Sequence, residues 1–266
     1  GSKRLNKKLI EVISNYLPDL VVLGHADLIS NETLDYIKKI YPNIKIVQWF
    51  LDRMDAEWKI NRSRFENKFN FTDANFCTTS PEVLNFDRRK KIYYIPNPVD
   101  ESFETLNVFE KKTFSRDLFF AMSHGVHRGI LKKGKFDVRE NFINRLRNLL
   151  PNVKFDLYGM NDRQPIWADQ YLKSIADSKM ALNLSQGNPV KYYSSDRISQ
   201  MVGNGLLTFV DKKTKLNDFF SNKEIVFYES AKDLAEKINK YNTNDKERIK
   251  IAKAGKKKYF KYFNST

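Results

Sequence analysis

Two hydrophobic periods alternate along almost the whole chain, and that alternation leaves few folds open. Leu5, Leu9, Val12, Ile13 and Tyr16 recur at helical spacing, and residues 19–24 follow as an apolar run of strand length. Leu34, Ile37, Ile40 and Tyr41 repeat the helix, Pro42 stops it, and residues 44–50 repeat the strand. The pattern predicts a helix over 58–69, strands over 74–79 and 91–95, and between them an N-cap with proline in the first turn at Ser80-Pro81-Glu82. Pro96, Pro98 and a mixed polar stretch to Ser115 interrupt the rhythm. It then resumes, with strands over 118–121, 153–158, 180–184, 206–210 and 225–228. Helices are predicted over 138–150, 167–177, 195–203, 214–220 and 231–241, and a basic helix over 244–262. Short apolar strands alternating with helices imply buried parallel sheets. The expected architecture is two doubly wound α/β domains, 1–98 and 116–243, with a linker over 99–115 and a terminal helix, 244–266, packing back across them.

A chain of 266 residues can bury a large core without staples. Its one cysteine, Cys77, excludes a disulfide framework, and three histidines (His25, His124, His127) leave little for a structural zinc site. No apolar run approaches the roughly 20 residues of a membrane span. Gly1-Ser2 has the look of a fusion remnant and nothing resembles a signal peptide, so a cytoplasmic location is expected. The net charge of +15 raises nucleic-acid binding, but lysine supplies most of the excess and is the less geometrically specific phosphate ligand. An anionic small substrate or an acidic membrane surface accounts for the charge equally well.

In doubly wound domains ligands sit at the carboxyl ends of strands, so residues just after strands carry the chemistry. After the strand at 118–121 comes Met122-Ser123-His124-Gly125-Val126-His127-Arg128-Gly129, then Ile130-Leu131-Lys132-Lys133-Gly134-Lys135. A glycine-containing basic loop between strand and helix binds phosphate through backbone N–H groups, the helix dipole and fixed cations. No GxGxxG or Walker lysine pattern is present, which disfavours a nicotinamide site or a P-loop nucleotidase. Tyr158 closes the next strand. After the strand at 180–184 come Lys191, Tyr193, Ser194, Ser195 and Asp196, with Ser195 or Asp196 placed to cap a helix whose face carries Arg197 and Gln200. In the first half, His25 follows a strand directly, and Asp52 and Asp55 end another; either carboxylate suits a general base or a ligand for an acceptor hydroxyl. A capped, solvated helix start explains the two aspartates as simply.

Ile95-Pro96-Asn97-Pro98-Val99-Asp100 with Phe103 resembles the interdomain "IPNGVD…F" signature of glycosyltransferase family 4, with Pro98 where glycine is usual. Residues 171–185, 196–205, 216–220 and 228–234 are similar to the C-terminal domain of the same family, especially its spore-maturation-protein branch. The resemblance implies a GT-B fold: two Rossmann-like domains, an interdomain cleft, and a nucleotide-sugar held mainly by the C-terminal domain. It implies that Arg128 with Lys132 or Lys133 neutralises the donor diphosphate. It also implies that amides near Lys191 to Ser195 assist, and that the position of Gln200, a Glu in the family, holds the ribose hydroxyls. The N-terminal domain would then begin at its second strand. The implied activity is glycosyl transfer to a saccharide or lipid-linked glycan without a cofactor or bound metal, and no DxD triplet occurs.

His25 and Asp52 are the candidate catalytic pair; Gly125, His127, Arg128, Lys132, Lys133, Tyr158, Lys191, Tyr193, Ser194, Ser195, Arg197 and Gln200 are the candidate donor ligands. The rival readings are a non-catalytic nucleotide- or glycan-binding module of the same fold, and a basic nucleic-acid binder. The second is weakened by the absence of RRM, KH or helix-turn-helix patterns. The terminal helix, rich in Lys and aromatics, either packs its rings and exposes its lysines or touches the inner face of a membrane.

Overall fold

The computed structural model describes residues 1–123 and 130–264. The chain divides into two compact units: Gly1–Pro96 with Val190–Tyr193, and Asn97–Pro189 with Ser194–Thr266.

The first unit runs α1 (Ser2–Tyr16), β1 (Leu20–Gly24), α2 (Asn31–Ile40), β2 (Lys45–Phe50), α3 (Lys59–Glu66), β3 (Ala74–Cys77), α4 (Pro81–Leu84) and β4 (Ile92–Tyr94). Its strands are parallel and lie in the order β1-β2-β3-β4. Ser30 starts α2 by accepting from the Thr33 amide, and Leu34 and Ile37, one turn apart, are fully buried against Ile13, Leu23 and Ile46. A second cluster gathers Phe50, Met54, Phe65, Cys77 and Leu84. The helix expected over 58–69 is shorter, because a 3-10 turn (Ala56–Trp58) leads into it and Asn67 ends it. The Asn67 carbonyl and side-chain oxygens accept from Asn31 at 3.0 and 3.1 Å, so this residue is committed to a tertiary contact. Gln48 and Asn75, buried polar residues in adjacent strands, satisfy each other at 2.6 Å.

The second unit contains β5 (Arg116–Ala121), α5 (Val138–Leu149), β6 (Phe155–Tyr158), α6 (Ala168–Ala176), β7 (Ser178–Asn183), α7 (Arg197–Gly203), β8 (Leu207–Asp211), β9 (Val226–Tyr228), α8 (Ala231–Thr243) and α9 (Asp245–Tyr262). Its five parallel strands are ordered β6-β5-β7-β8-β9. The chain steps one way from β5 to β6 and then crosses back to β7. A crevice therefore opens at the carboxyl ends of β5 and β7, where the winding reverses. The helix expected over 214–220 is instead two 3-10 turns, Lys212–Thr214 and Leu216–Asp218, separated by Lys215 at φ 58°. Asp211 accepts from the Lys213 amide and Thr214 donates to the Asp211 carbonyl, which closes the tighter turn first. Leu216 and Phe220 are still buried, as their spacing implied.

The stretch 99–115, expected as a linker, has an ordered path. The Leu106 and Val108 amides donate to the Asn204 side chain and carbonyl, and Lys256 donates to the Glu104 and Leu106 carbonyls. In α9, Tyr259 stacks on Phe220 at 5.6 Å and meets Phe263 edge-on at 5.0 Å.

Candidate functional site

At the reversal point of the second unit a buried polar cluster ends β7. Asn183 donates to the Ser194 hydroxyl at 2.8 Å, and Asn97 donates to the Ser194 carbonyl at 2.8 Å. The Ser195 amide donates to Ser185 at 3.3 Å, and Arg197 reaches the Leu184 carbonyl at 3.0 Å. Asn97, Asn183 and Ser194 are each no more than 6% exposed. Tyr259 donates to the Asn97 carbonyl from α9, so the terminal helix braces the same cluster. Within it, the Ser195 hydroxyl and the Asn183 side-chain carbonyl are buried and have no hydrogen-bond partner among the described residues. The Tyr171 hydroxyl is in the same condition; burial pushes its pKa well up, and Arg197 and Asp196 are its charged neighbours. Buried polar atoms of Trp49, Thr79, Ser178 and Tyr228 elsewhere in the chain share this condition, which an ordered water, an ion or a ligand would relieve.

Neighbouring loops are firmly pinned. Gly159, after β6, has φ 72°, and a Cβ there would lie 1.7 Å from the Met122 carbonyl oxygen, so only glycine lets the ends of β5 and β6 approach. Leu131 exchanges two hydrogen bonds with the Gln164 carboxamide, and the Gly134 amide donates to Asp162 at 3.0 Å. Lys132 and Lys133 sit in that pinned turn with exposed side chains. The start of α5 is closed by its own capping box: Asp137 and Glu140 occupy the cap, and Arg139 forks onto Asp137 at 2.9 Å. The dipole of that helix, expected to face phosphate, therefore meets its own carboxylates. Gly125, His127 and Arg128 lie outside the described residues.

The other donor candidates separate. Ser194, Ser195, Arg197 and Gln200 belong to the cluster and to α7, and the Gln200 carboxamide has no partner among the described residues. Asp196 stands at the N-cap position of α7 but makes no side-chain cap bond, contrary to the expected capping. Tyr158 ends the edge strand β6, accepts from Ser174 at 2.9 Å and lies under the Arg163 guanidinium at 3.8 Å. Lys191 and Tyr193 belong to the first unit. There Lys191 pairs with Glu82, its carbonyl accepts from the Ser80 amide, and the Tyr94 hydroxyl reaches the Tyr192 carbonyl.

The first unit holds a second cluster at the carboxyl ends of β1 and β2. His25 Nε2 stands 4.0 Å from Asp52 Oδ2, and Arg64 lies 3.8 Å from the same carboxylate. His25 has φ 46° and its ring lies 5.4 Å from that of Phe50. Asp27 pairs with Arg64, whose hydrogen bond holds the Asp27 carboxyl below its ordinary range. Lys68, lowered by burial, donates to the Ile29 carbonyl and to Asn31. His25, Asp27, Phe50, Arg64 and Lys68, with Leu23 and Gln48, line a pocket, and Asp52 stands outside its lining. Asp55 is absent from it, being forked onto Arg53, which is 3% exposed.

Sequence reasoning missed Asn97 and Asn183 as site residues, and Asp27, Arg64 and Lys68 in the pocket. Asn97 had a signal in the Pro-Asn-Pro motif. Arg64 and Lys68 had only an i, i+4 spacing that a solvated helix shares.

The profile of the glycosyl transferase-like family matches residues 139–266. No curated protein matches by sequence. Among solved structures, HepE of Anabaena in complex with UDP aligns with a TM-score of 0.64 at 12% identity, covering 98% of this chain and 78% of that one. TarM, known from S. aureus, aligns at 0.60 and 12% identity over 92% of this chain, which spans 52% of TarM. Sucrose-phosphate synthase of Thermosynechococcus elongatus aligns at 0.57 and 11% identity over 98% of this chain and 74% of that one. The two parallel-sheet units thus have the GT-B fold, and residues 139–266 are similar to the glycosyl transferase-like family.

Proposed function

We propose that the protein transfers a sugar from a nucleotide-sugar to a saccharide or lipid-linked acceptor, with the donor held by the second unit. The observation that carries the reading is the polar cluster at the β5/β7 reversal, with the Ser195 hydroxyl and the Asn183 carbonyl buried and unpartnered. The family match over 139–266 supports it, as do structures of the same fold solved with UDP or UDP-glucose, HepE among them. In this reading Arg197, with Lys132 and Lys133, stabilises the charge that develops on the leaving diphosphate, and fixed cations do so without reorganisation. Gln200 takes the ribose hydroxyls. On the acceptor side, Asp52 orients the His25 imidazole toward the attacking hydroxyl. In this reading the transfer needs no protein-held metal, an expectation that rests on the absent DxD triplet.

A second reading, a binding module without turnover, is favoured by one feature: an amide at position 200 lacks the charge of a carboxylate acceptor. Released nucleoside diphosphate, measured over a panel of UDP-, GDP- and ADP-sugars, separates the two. The enzyme reading predicts turnover of one donor, reduced about a hundredfold or more in Arg197→Ala. Nucleotide binding without release, in both the wild type and Gln200→Glu, would establish the module.

A further inference from the structure

The terminal helix α9 carries a feature that neither the fold nor the donor site uses. Its inward face is Arg248, Ile251, Ala252, Gly255 and Tyr259, all buried. Its most exposed positions between 246 and 261 are Lys246, Lys250, Lys253, Lys257 and Lys261. At about 100° per residue these five lysines fall within an arc of roughly 80°, directly opposite the buried face, and they run about 22 Å along the axis.

The stripe has one sign. The acids of α9 are spent at its start, Asp245 on Arg248 and Glu247 on Lys240. Among the described residues none of the five lysines is in an ion pair. Like charges three and four residues apart destabilise a helix, and Lys246 stands in the first turn, where the helix dipole disfavours a cation. Asp245 and Glu247 offset the dipole cost in the first turn, but among the described residues no carboxylate pairs with the stripe.

We propose that the lysine face of α9 docks the protein on an anionic lipid bilayer. A convex ridge of ammonium groups meets a plane of headgroups along its whole length, and juxtamembrane lysines gain affinity from such a surface one by one. The stripe holds no arginine fork for bidentate phosphate or base contacts, and the one exposed aromatic beside it among the described residues of the helix, Tyr262, lies at its very end under Lys261, which distinguishes it from a nucleic-acid surface with bases stacked between its cations. No described helix is long and apolar enough to cross a membrane. The inference does not depend on the donor reading.

The test is sedimentation of the full chain with phosphatidylcholine vesicles, with and without phosphatidylglycerol, at low and high salt, using duplex DNA as competitor. Lys250→Gln, Lys253→Gln and Lys257→Gln are combined in one variant. A control of equal net charge carries Lys3→Gln, Lys7→Gln and Lys8→Gln on α1. All six positions are exposed, and unchanged circular-dichroism melts verify the fold. The expected result is binding to anionic vesicles alone, weakened by high salt and about a hundredfold by the α9 variant, with the control within about twofold of wild type. No binding to anionic vesicles, equal loss in both variants, or tighter binding to DNA than to vesicles at equal phosphate would overturn it.

Discussion

Ser195 and Gly159 make opposite predictions at the scale of single residues. The Ser195 hydroxyl is buried without a partner, so it adds nothing to the free protein that a methyl would not. Ser195→Ala is expected to leave thermal stability unchanged or raise it by up to about 1 kcal/mol, while weakening nucleotide binding about tenfold. A melting curve beside a nucleotide titration checks both halves; a clear loss of stability would make Ser195 structural. Gly159 is the opposite case. With φ 72° and the Met122 carbonyl in the place of a Cβ, Gly159→Ala should cost more than about 3 kcal/mol in urea unfolding. Asn97 and Asn183 lie between these cases, bracing Ser194 from the interdomain motif and from a strand end.

Among the elements, the periodic ones were legible in the sequence and the strained or polar ones were not. Leu34 with Ile37 and Leu216 with Phe220 marked buried faces correctly, because burial follows spacing. The tight turns at 212–218 and the early end of α3 were not visible, since Asp211, Thr214 and Asn67 act through side-chain bonds that have no period. The same limit hid the pocket of the first unit, where Arg64 reaches Asp27 across 37 positions. That pair carries a pH prediction. Arg64 lowers the Asp27 pKa in the folded state, so the stabilisation is present above the unfolded value and is lost as pH falls through the lower, folded one. Wild type should exceed Asp27→Asn by at most about 1 kcal/mol at pH 6, the carboxylate being 43% exposed. The gap should close as the pH is taken below about 4. Denaturation curves between pH 6 and pH 3 measure it, and a gap constant over that range would show that the pair contributes nothing.

For the whole molecule, alternation of strand and helix indicated parallel sheets in both halves, but not strand order. The reversal from β6 back across β5 to β7 is set by how crossovers pack, and no local pattern records it. That reversal is what turns Ser194, Ser195 and Arg197 from residues after a strand into one side of a crevice. Their sequence position suggested the chemistry; only the topology supplied the place. The central claim is therefore that a nucleotide binds at the carboxyl ends of β5 and β7. Titration calorimetry of UDP, GDP and ADP into the wild type, Ser195→Ala and Arg197→Gln tests it most directly. The account predicts saturable one-site binding of one of the three, weakened about tenfold or more by each substitution. Binding of none, or binding equally tight in both variants, would contradict it.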